Sequence, residues 1–441
     1  VLSTGIQELK IDEHTQPSSY FQVGNTMNAA AANKAIQTLV NIRSLFAETP
    51  LELNSFLSKK YNANIFLKRE DLTPVRSYKI RGAFNKISSL PQTHNNNNPI
   101  VTCSAGNHAQ GVAYSCERLR MKGNIFMPTI TPEQKINKVK QFGKEYVNIN
   151  LVGANFDECF KVAKQFSIEN NQEFIHPFDD EKVIEGQATV GYEILAQAQQ
   201  QGVKLDYVIL PVGGGGLAAG VSRYIKEVSP TTKIIGTEPR GAPSMKAAIE
   251  YGRVVTLGKI DTFVDGAAVK TVGTLTYPIC KKNLDKMIVI DEGHVCSKII
   301  EMYNENGYII EPAGVLSLCA LDLEEIELGT DLRNKNIVCI ISGGNSDVFR
   351  MPEILERALI YKGLKHYFRI EFPQKAGALK NFVQNILGPN DDIIYFRYTK
   401  LINKETGPVI IGIETSTITT LLERMKASAI LYEKVASTSI Y

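Results

Sequence analysis

Between about residue 100 and residue 341, apolar runs of strand length alternate with helical stretches, and this rhythm constrains the fold more than any other feature. Pro99 to Cys103 is followed by Ala109 to Leu119, Gly123 to Met127 by Pro132 to Phe142, and Tyr146 to Val152 by Asn155 to Phe166. Tyr207 to Val212 precedes Leu217 to Val228, and Ile234 to Thr237 precedes Pro243 to Tyr251. Met287 to Ile290 and Ile337 to Ile341 read as later strands. Such alternation means βαβ units and a mainly parallel sheet covered on both faces. Ligands of such sheets bind at the C-terminal ends of the strands, so the chemistry is expected there. Upstream, a helical pattern runs from near Asn28 to Ile42, Glu48-Thr49-Pro50-Leu51 breaks it, and Asn64 to Lys68 reads as a short strand. Asn95 to Asn98 reads as an exposed loop.

The rhythm changes after about residue 350. Met351 to Tyr361 reads as a connecting helix. Strand-like Tyr367 to Phe372, helical Gly377 to Leu387, strand-like Ile393 to Leu401 and Pro408 to Glu414, and helical Ile418 to Ala427 follow, ending in Ile430 to Val435. That series suggests a small α+β module of the ferredoxin-like kind, with a boundary between 350 and 365.

The charge balance excludes some partners. Forty-nine Lys and Arg against 46 Asp and Glu give a net charge of +3, too even to imply nucleic acid or a membrane surface. No apolar stretch has the roughly 18 residues of a membrane span. Seven widely spaced cysteines without a CxxC pair argue against a disulfide framework or a Cys-rich zinc site and fit a reducing compartment. Residues 1–26 lack the apolar core of a secretory signal and carry Glu8, Asp12 and Glu13. They are expected to be an extension, either artificial or left by processing.

Four strand-end segments carry candidate chemistry. In Ser77-Tyr78-Lys79-Ile80-Arg81-Gly82-Ala83, Lys79 stands at a helix start. It is either a solvated lysine or a desolvated amine able to form a Schiff base. Ser104-Ala105-Gly106-Asn107-His108 follows an apolar strand. It offers N–H donors to an anion such as a carboxylate, or it is an ordinary capped helix start. Gly213-Gly214-Gly215-Gly216-Leu217 leaves backbone N–H groups free to converge on a phosphate; the alternative is a tight packing turn. It is neither a Walker A loop nor a dinucleotide fingerprint. Ser342-Gly343-Gly344-Asn345 ends the last strand, where Ser342 can hydrogen-bond a ring nitrogen or simply belong to a turn. An imine-forming lysine, a phosphate cup, an asparagine and a strand-end serine together match the needs of pyridoxal phosphate.

These four motifs resemble the signatures of the tryptophan-synthase-β-like pyridoxal enzymes, and within them those of threonine dehydratase. The resemblance spans about residues 35–350 and continues into Gly363-Leu364-Lys365-His366-Tyr367-Phe368 and Leu387-Gly388-Pro389-Asn390-Asp391-Asp392. Those stretches resemble the single ACT-like regulatory domain of the short biosynthetic form. The resemblance implies two parallel-sheet α/β subdomains plus that ferredoxin-like domain. The implied division is an N-terminal extension (1–26), a catalytic domain (27–350), a linker helix (351–363) and a regulatory domain (364–441).

It also implies roles: Lys79 as Schiff-base lysine and Cα base, Asn107 at the cofactor's ring hydroxyl, and Gly213, Gly214, Gly215, Gly216 and Leu217 around its phosphate. Ser342 would face the ring nitrogen, and Ser104, Ala105, Gly106, Asn107 and His108 the substrate carboxylate. The implied reaction is β-elimination of L-threonine to 2-oxobutanoate and ammonia, the first step of isoleucine biosynthesis, with isoleucine inhibiting and valine relieving. A cytoplasmic homotetramer is usual for such a family.

The sequence departs from the family at several places. Tyr78 sits where many members have Phe. Ala105 replaces the second base of serine racemases, so racemisation is expected to be weak. Glu238 matches one ligand of a cation site in relatives, but Ser244 stands where a carboxylate would be, so no metal is expected. The alternatives are an L-serine dehydratase or a β-replacement enzyme of the same fold, and, in another class, a catalytically silent amino-acid sensor.

Overall fold

The computed structural model describes residues 30–91, 98–323, 331–400 and 404–436. Residues 1–26, Asn95 to Asn97 of the expected loop, and Leu401 at the end of an expected strand lie outside them. Before the change of rhythm the strands are β1 (Leu51–Leu53), β2 (Asn64–Arg69), β3 (Ile100–Cys103), β4 (Gly123–Met127), β5 (Val147–Leu151), β6 (Tyr207–Pro211), β7 (Lys233–Pro239), β8 (Lys286–Ile290) and β9 (Asn336–Ile341). Beyond it come β10 (Lys365–Pro373), β11 (Asp392–Tyr398), β12 (Thr406–Glu414) and β13 (Tyr432–Lys434).

A six-stranded sheet has the order β1-β2-β9-β6-β7-β8. It is parallel from β2 to β8, and the short edge strand β1 pairs antiparallel with β2. Strand β9 shows why its residues form a central strand. Ile337, Cys339 and Ile341 enter one core with Ile65, Leu67 and Val315, while Val338 and Ile340 enter the other with Phe66, Val208 and Ala218. A run apolar on both faces, rich in β-branched residues, is what a doubly covered parallel strand requires. A smaller parallel sheet, β3-β4-β5, has its own cores: Ile100, Ile125 and Met127 on one side, Val101, Cys103 and Phe126 on the other.

The C-terminal sheet, ordered β11-β12-β10-β13, is antiparallel throughout. Phe368, Ile370 and Phe372 of β10 and Val409, Ile411 and Ile413 of β12 share one face. Phe382, from the helix Ala378–Asn385, and Leu421 and Met425, from the helix Ile418–Ala427, pack against it. This is the βαββαβ arrangement of a ferredoxin-like module.

Several elements differ from the sequence expectation. The helix Met351–Tyr361 is more than a connector, because Ile354 and Ala358 on one face join the core of the large sheet beside the helix Glu292–Asn306. The 20-residue helix Glu181–Gln200 is absent from the sequence expectation. Ile184, Ala188, Tyr192 and Ala198 give it an apolar face, but its buried positions also include Glu185, Gln187, Thr189, Glu193 and Gln197, which blur that period. All seven cysteines are buried free thiols, and among the described residues no helix is long and apolar enough to cross a membrane.

Candidate active site

The loops that follow β2, β3, β6 and β9 meet at the C-terminal ends of the parallel strands, as the strand polarity requires. Lys79 opens the helix Lys79–Ser88. Its approach is fixed by Thr73, whose Oγ1 accepts from Ser77 N (2.9 Å) and donates to Ser77 O (2.8 Å). Ser77 bridges Gly343, and Tyr78 N donates to Ser342 O at 3.1 Å. These contacts bring Lys79 and Ser342 together although they are far apart in sequence. The Lys79 amine is half-buried and donates to Pro177 O at 2.8 Å. Burial pushes it down to about 8 against the opposing pull of Glu311. A neutral fraction near neutrality far above that of an ordinary lysine is what an imine-forming lysine needs.

The glycine loop ends β6 and starts the helix Gly216–Val228. Gly215 has φ +93°, in the left-handed region, and as the N-cap it has no side chain to accept from the first turn. The first N–H groups of that helix have no intrahelical acceptor, so they remain directed at whatever lies beyond the helix end. Thr276 Oγ1 fixes the turn by donating to Gly214 O at 2.6 Å, and the Phe178 ring lies over Gly214. The segment Pro177-Phe178 therefore links the lysine and the glycine loop. An uncapped helix end of this kind, beside an amine of lowered proton affinity, fits a phosphorylated aldehyde such as pyridoxal phosphate. Gly215→Ala is expected to cost roughly 1–2 kcal/mol in backbone strain. An added Cβ would also lie 2.6 Å from the end of the Met245 side chain and 2.8 Å from Thr276 Oγ1. Titration with pyridoxal phosphate, followed by absorbance, should show affinity lowered by about tenfold or more, since 1.4 kcal/mol is a decade. Unchanged affinity would count against this loop as the phosphate site.

Ser104 to His108 lead from β3 into the helix Asn107–Leu119, which packs on the lysine-bearing helix. Gly106 N donates to Ser104 Oγ at 3.2 Å. His108 is buried with Nε2 at 3.0 Å from Ile175 O, and its Nδ1 has no partner. Burial first, and then the Lys79 charge, push this imidazole down to about 3, so it is neutral and Nε2 is the donor. The expected carboxylate loop thus offers a helix N-terminus and uncharged polar groups. Ser342 is buried at the end of β9.

Sequence reasoning missed Glu311. It precedes the helix Pro312–Cys319, its Oε1 accepts from Asn107 Nδ2 at 2.7 Å, and its Oε2 accepts from Asn345 N at 3.2 Å. The available signal was a glutamate followed by a helix-starting proline amid an apolar run, which by itself reads as a surface cap. Glu238 accepts from Met245 N (2.7 Å) and Lys246 N (2.9 Å), and burial raises its carboxyl to about 8. Ser244 Oγ is buried without a partner, and among the described residues no group of three or more His, Cys, Asp or Glu is placed to hold a metal.

Two families match the chain: "Pyridoxal-phosphate dependent enzyme" over residues 42–343, and "C-terminal regulatory domain of Threonine dehydratase" over residues 356–441. A curated relative, the biosynthetic L-threonine dehydratase IlvA of Halalkalibacterium halodurans, is 52% identical over 373 residues, 85% of this chain and 88% of the relative. Among solved structures, the processed form of threonine deaminase isoform 2 from Solanum lycopersicum superposes with a TM-score of 0.68 at 38% identity, over 74% of this chain and 94% of that one. A threonine deaminase from T.th. superposes with a TM-score of 0.65 at 32% identity, over 71% of this chain and 98% of its own.

Proposed function

The chain belongs to the pyridoxal-phosphate-dependent enzymes of the tryptophan-synthase-β-like fold and carries the regulatory domain of threonine dehydratase, and on that premise we propose that it deaminates L-threonine to 2-oxobutanoate under isoleucine feedback. The observation that carries the catalytic half is the Lys79 amine, lowered to about 8 by burial, at the meeting of four strand-end loops. Pyridoxal phosphate, when bound, supplies an aldehyde for the amino group and a ring that renders the Cα proton acidic. The N–H groups of Gly213 to Leu217 would hold its phosphate, and Asn107 would meet its ring hydroxyl.

The chain's own groups do the rest. Ser104 to His108 orient the substrate carboxylate at the N-terminus of the helix Asn107–Leu119. Lys79, as a neutral amine, takes the Cα proton and holds it at Nζ. The β-hydroxyl then takes up a proton and departs as water, hydrolysis of the remaining C–N bond consumes one water, and the proton held at Nζ is given back. Threonine is thereby balanced against 2-oxobutanoate and ammonia. Ser342 would meet the ring nitrogen as a neutral hydroxyl, which would not fix a proton there and would favour elimination over amino-group transfer. L-serine undergoes the same chemistry and is expected as a second substrate.

In this reading residues 27–350 catalyse, 351–363 connect and 364–441 regulate, with isoleucine inhibiting and valine relieving through different affinities for two arrangements of the βαββαβ module. A cytoplasmic homotetramer belongs to the same reading, and the free thiols fit a reducing compartment.

The test is formation of 2-oxobutanoate from threonine alone, with and without isoleucine. Keto acid without a second substrate supports a lyase, and none would refute it. A chain ending at Gly363 is expected to stay active and ignore isoleucine. One ending at Arg350 is expected to lose stability as well, because Ile354 and Ala358 leave the core of the large sheet. Inhibition retained by the longer truncation would place the effector site outside the module.

A further inference from the structure

Glu311 is a buried carboxyl in contact with a proposed cofactor ligand and has no part in the mechanism above. Desolvation raises it to about 7, and the neighbouring Asp265 adds to the rise, while hydrogen bonds from Asn107 and Asn345 oppose it. Burying such a group is costly unless its oxygens are satisfied. The strand-end turn is shaped around it, since a Cβ on Gly343 would lie 2.4 Å from Glu311 Oε1.

The contacts define one orientation of the Asn107 amide. Its Nδ2 faces Glu311 Oε1 at 2.7 Å, and its Oδ1 accepts from Asn345 Nδ2, also at 2.7 Å. Asn345 is anchored in turn: its Nδ2 donates to Val75 O (2.9 Å), and its Oδ1 accepts from Lys138 Nζ (3.2 Å). In these contacts both Glu311 oxygens accept and an amide nitrogen only donates, so turning Asn107 over would set its Oδ1 against Glu311 Oε1 and its Nδ2 against the Asn345 amide nitrogen. One Nδ2 hydrogen of Asn107 remains uncommitted.

We propose that Glu311, with Asn345, is a positioning residue that fixes Asn107 as a hydrogen-bond donor toward the ring hydroxyl of pyridoxal phosphate, so that the bound ring oxygen is kept as the anion. This rests on the reading of Asn107 as the ring-hydroxyl partner.

The experiment compares holoenzymes by the visible absorption of the bound cofactor, by threonine kinetics and by far-UV circular dichroism as a control for folding. Glu311→Leu removes both acceptors. Its band is expected to move to shorter wavelength, as for a protonated ring hydroxyl, and kcat to fall roughly 10- to 100-fold with a smaller change in KM. Glu311→Gln keeps an acceptor oxygen and is expected to restore the band position. Asn107→Ala should reproduce the shift, and the Asn107→Ala/Glu311→Leu double variant should be no worse than Asn107→Ala alone. Should Glu311→Leu not fold, Asn345→Ala, which removes the donor to Asn107 Oδ1, is read in the same way. A wild-type band in Glu311→Leu, or in Asn345→Ala where that substitutes for it, beside a shifted Asn107→Ala overturns the role of Glu311. An unshifted Asn107→Ala overturns the reading of Asn107 itself.

Discussion

Lys79→Ala is expected to reduce 2-oxobutanoate formation from threonine by at least roughly 10³-fold, because it removes both the attachment point and the Cα base. The groups around the amine are poor substitutes. His108 is pushed down to about 3 and His176 to about 4, chiefly by burial. The Nδ1 of His176 already accepts from Phe178 N and Asp179 N. The oxygens of Glu311 are engaged by Asn107 and Asn345. The fold should survive, since a half-buried amine with one hydrogen bond to Pro177 O is replaced by a small apolar group. The pH dependence separates this from general damage. A lysine lowered from 10.5 to about 8 binds fewer protons folded than unfolded between those values. Stability of the cofactor-free protein should therefore rise with pH across that window, and Lys79→Ala should lose that contribution. Melting the cofactor-free wild type and variant from about pH 8 upward tests it. A variant that turns over threonine at more than a few per cent of the wild-type rate would refute the catalytic assignment.

Glu193→Ala is expected to destabilise the chain by about 3–5 kcal/mol, the scale for stripping a buried ion network of one partner. Glu193 accepts from Arg81 Nη1 (2.9 Å) and Nη2 (2.8 Å), Lys68 Nζ (2.7 Å) and Arg43 Nη1 (2.6 Å). Arg81 is also held by Glu70, at 2.7 Å through Nε and 2.8 Å through Nη2. The side chains of Lys68, Glu70, Arg81 and Glu193 have no exposed surface. Without Glu193, Arg81 keeps Glu70 and Arg43 keeps Glu48, while the fully buried Lys68 loses its ion-pair partner. Burial opposes ionisation of Glu193, but Arg81 and Lys68 overcome it and hold the carboxyl well below the usual carboxylate range. Its stabilisation is therefore complete above the ordinary glutamate value and is lost only in strong acid, as pH falls through the depressed value. Urea unfolding of wild type and variant at neutral pH should show the full gap, narrowing as the solution is acidified. A difference below about 1 kcal/mol would mean that the network behaves like exposed ion pairs. The loss matters for function because Arg81 anchors the helix that begins at Lys79.

The residues that are hard to place share a cause. The helix Glu181–Gln200 turns Glu193 and Gln197 inward, and they read as solvent-facing until Arg81 and Lys68 arrive from elsewhere in the chain. Asn345 reads as one residue of a turn, without a role, because its partner Asn107 is 238 residues away. Glu311 looks like an ordinary helix cap, because Asn107 is 204 residues away. Strand β1 is hidden by Pro50 and by its three-residue length.

The sequence alone determined the parallel architecture, the strand-end positions of Lys79, Asn107, Gly213 to Leu217 and Ser342, and the kind of cofactor they suit. Each of these follows from local chemistry: an apolar run buried on both faces, a backbone without Cβ atoms, an amine at a helix start. Only the tertiary structure decided which polar groups meet, that Pro177 receives the lysine, and that a carboxylate holds Asn107. Contacts between distant segments leave no periodic trace in a chain, and burial reverses what a charged side chain does.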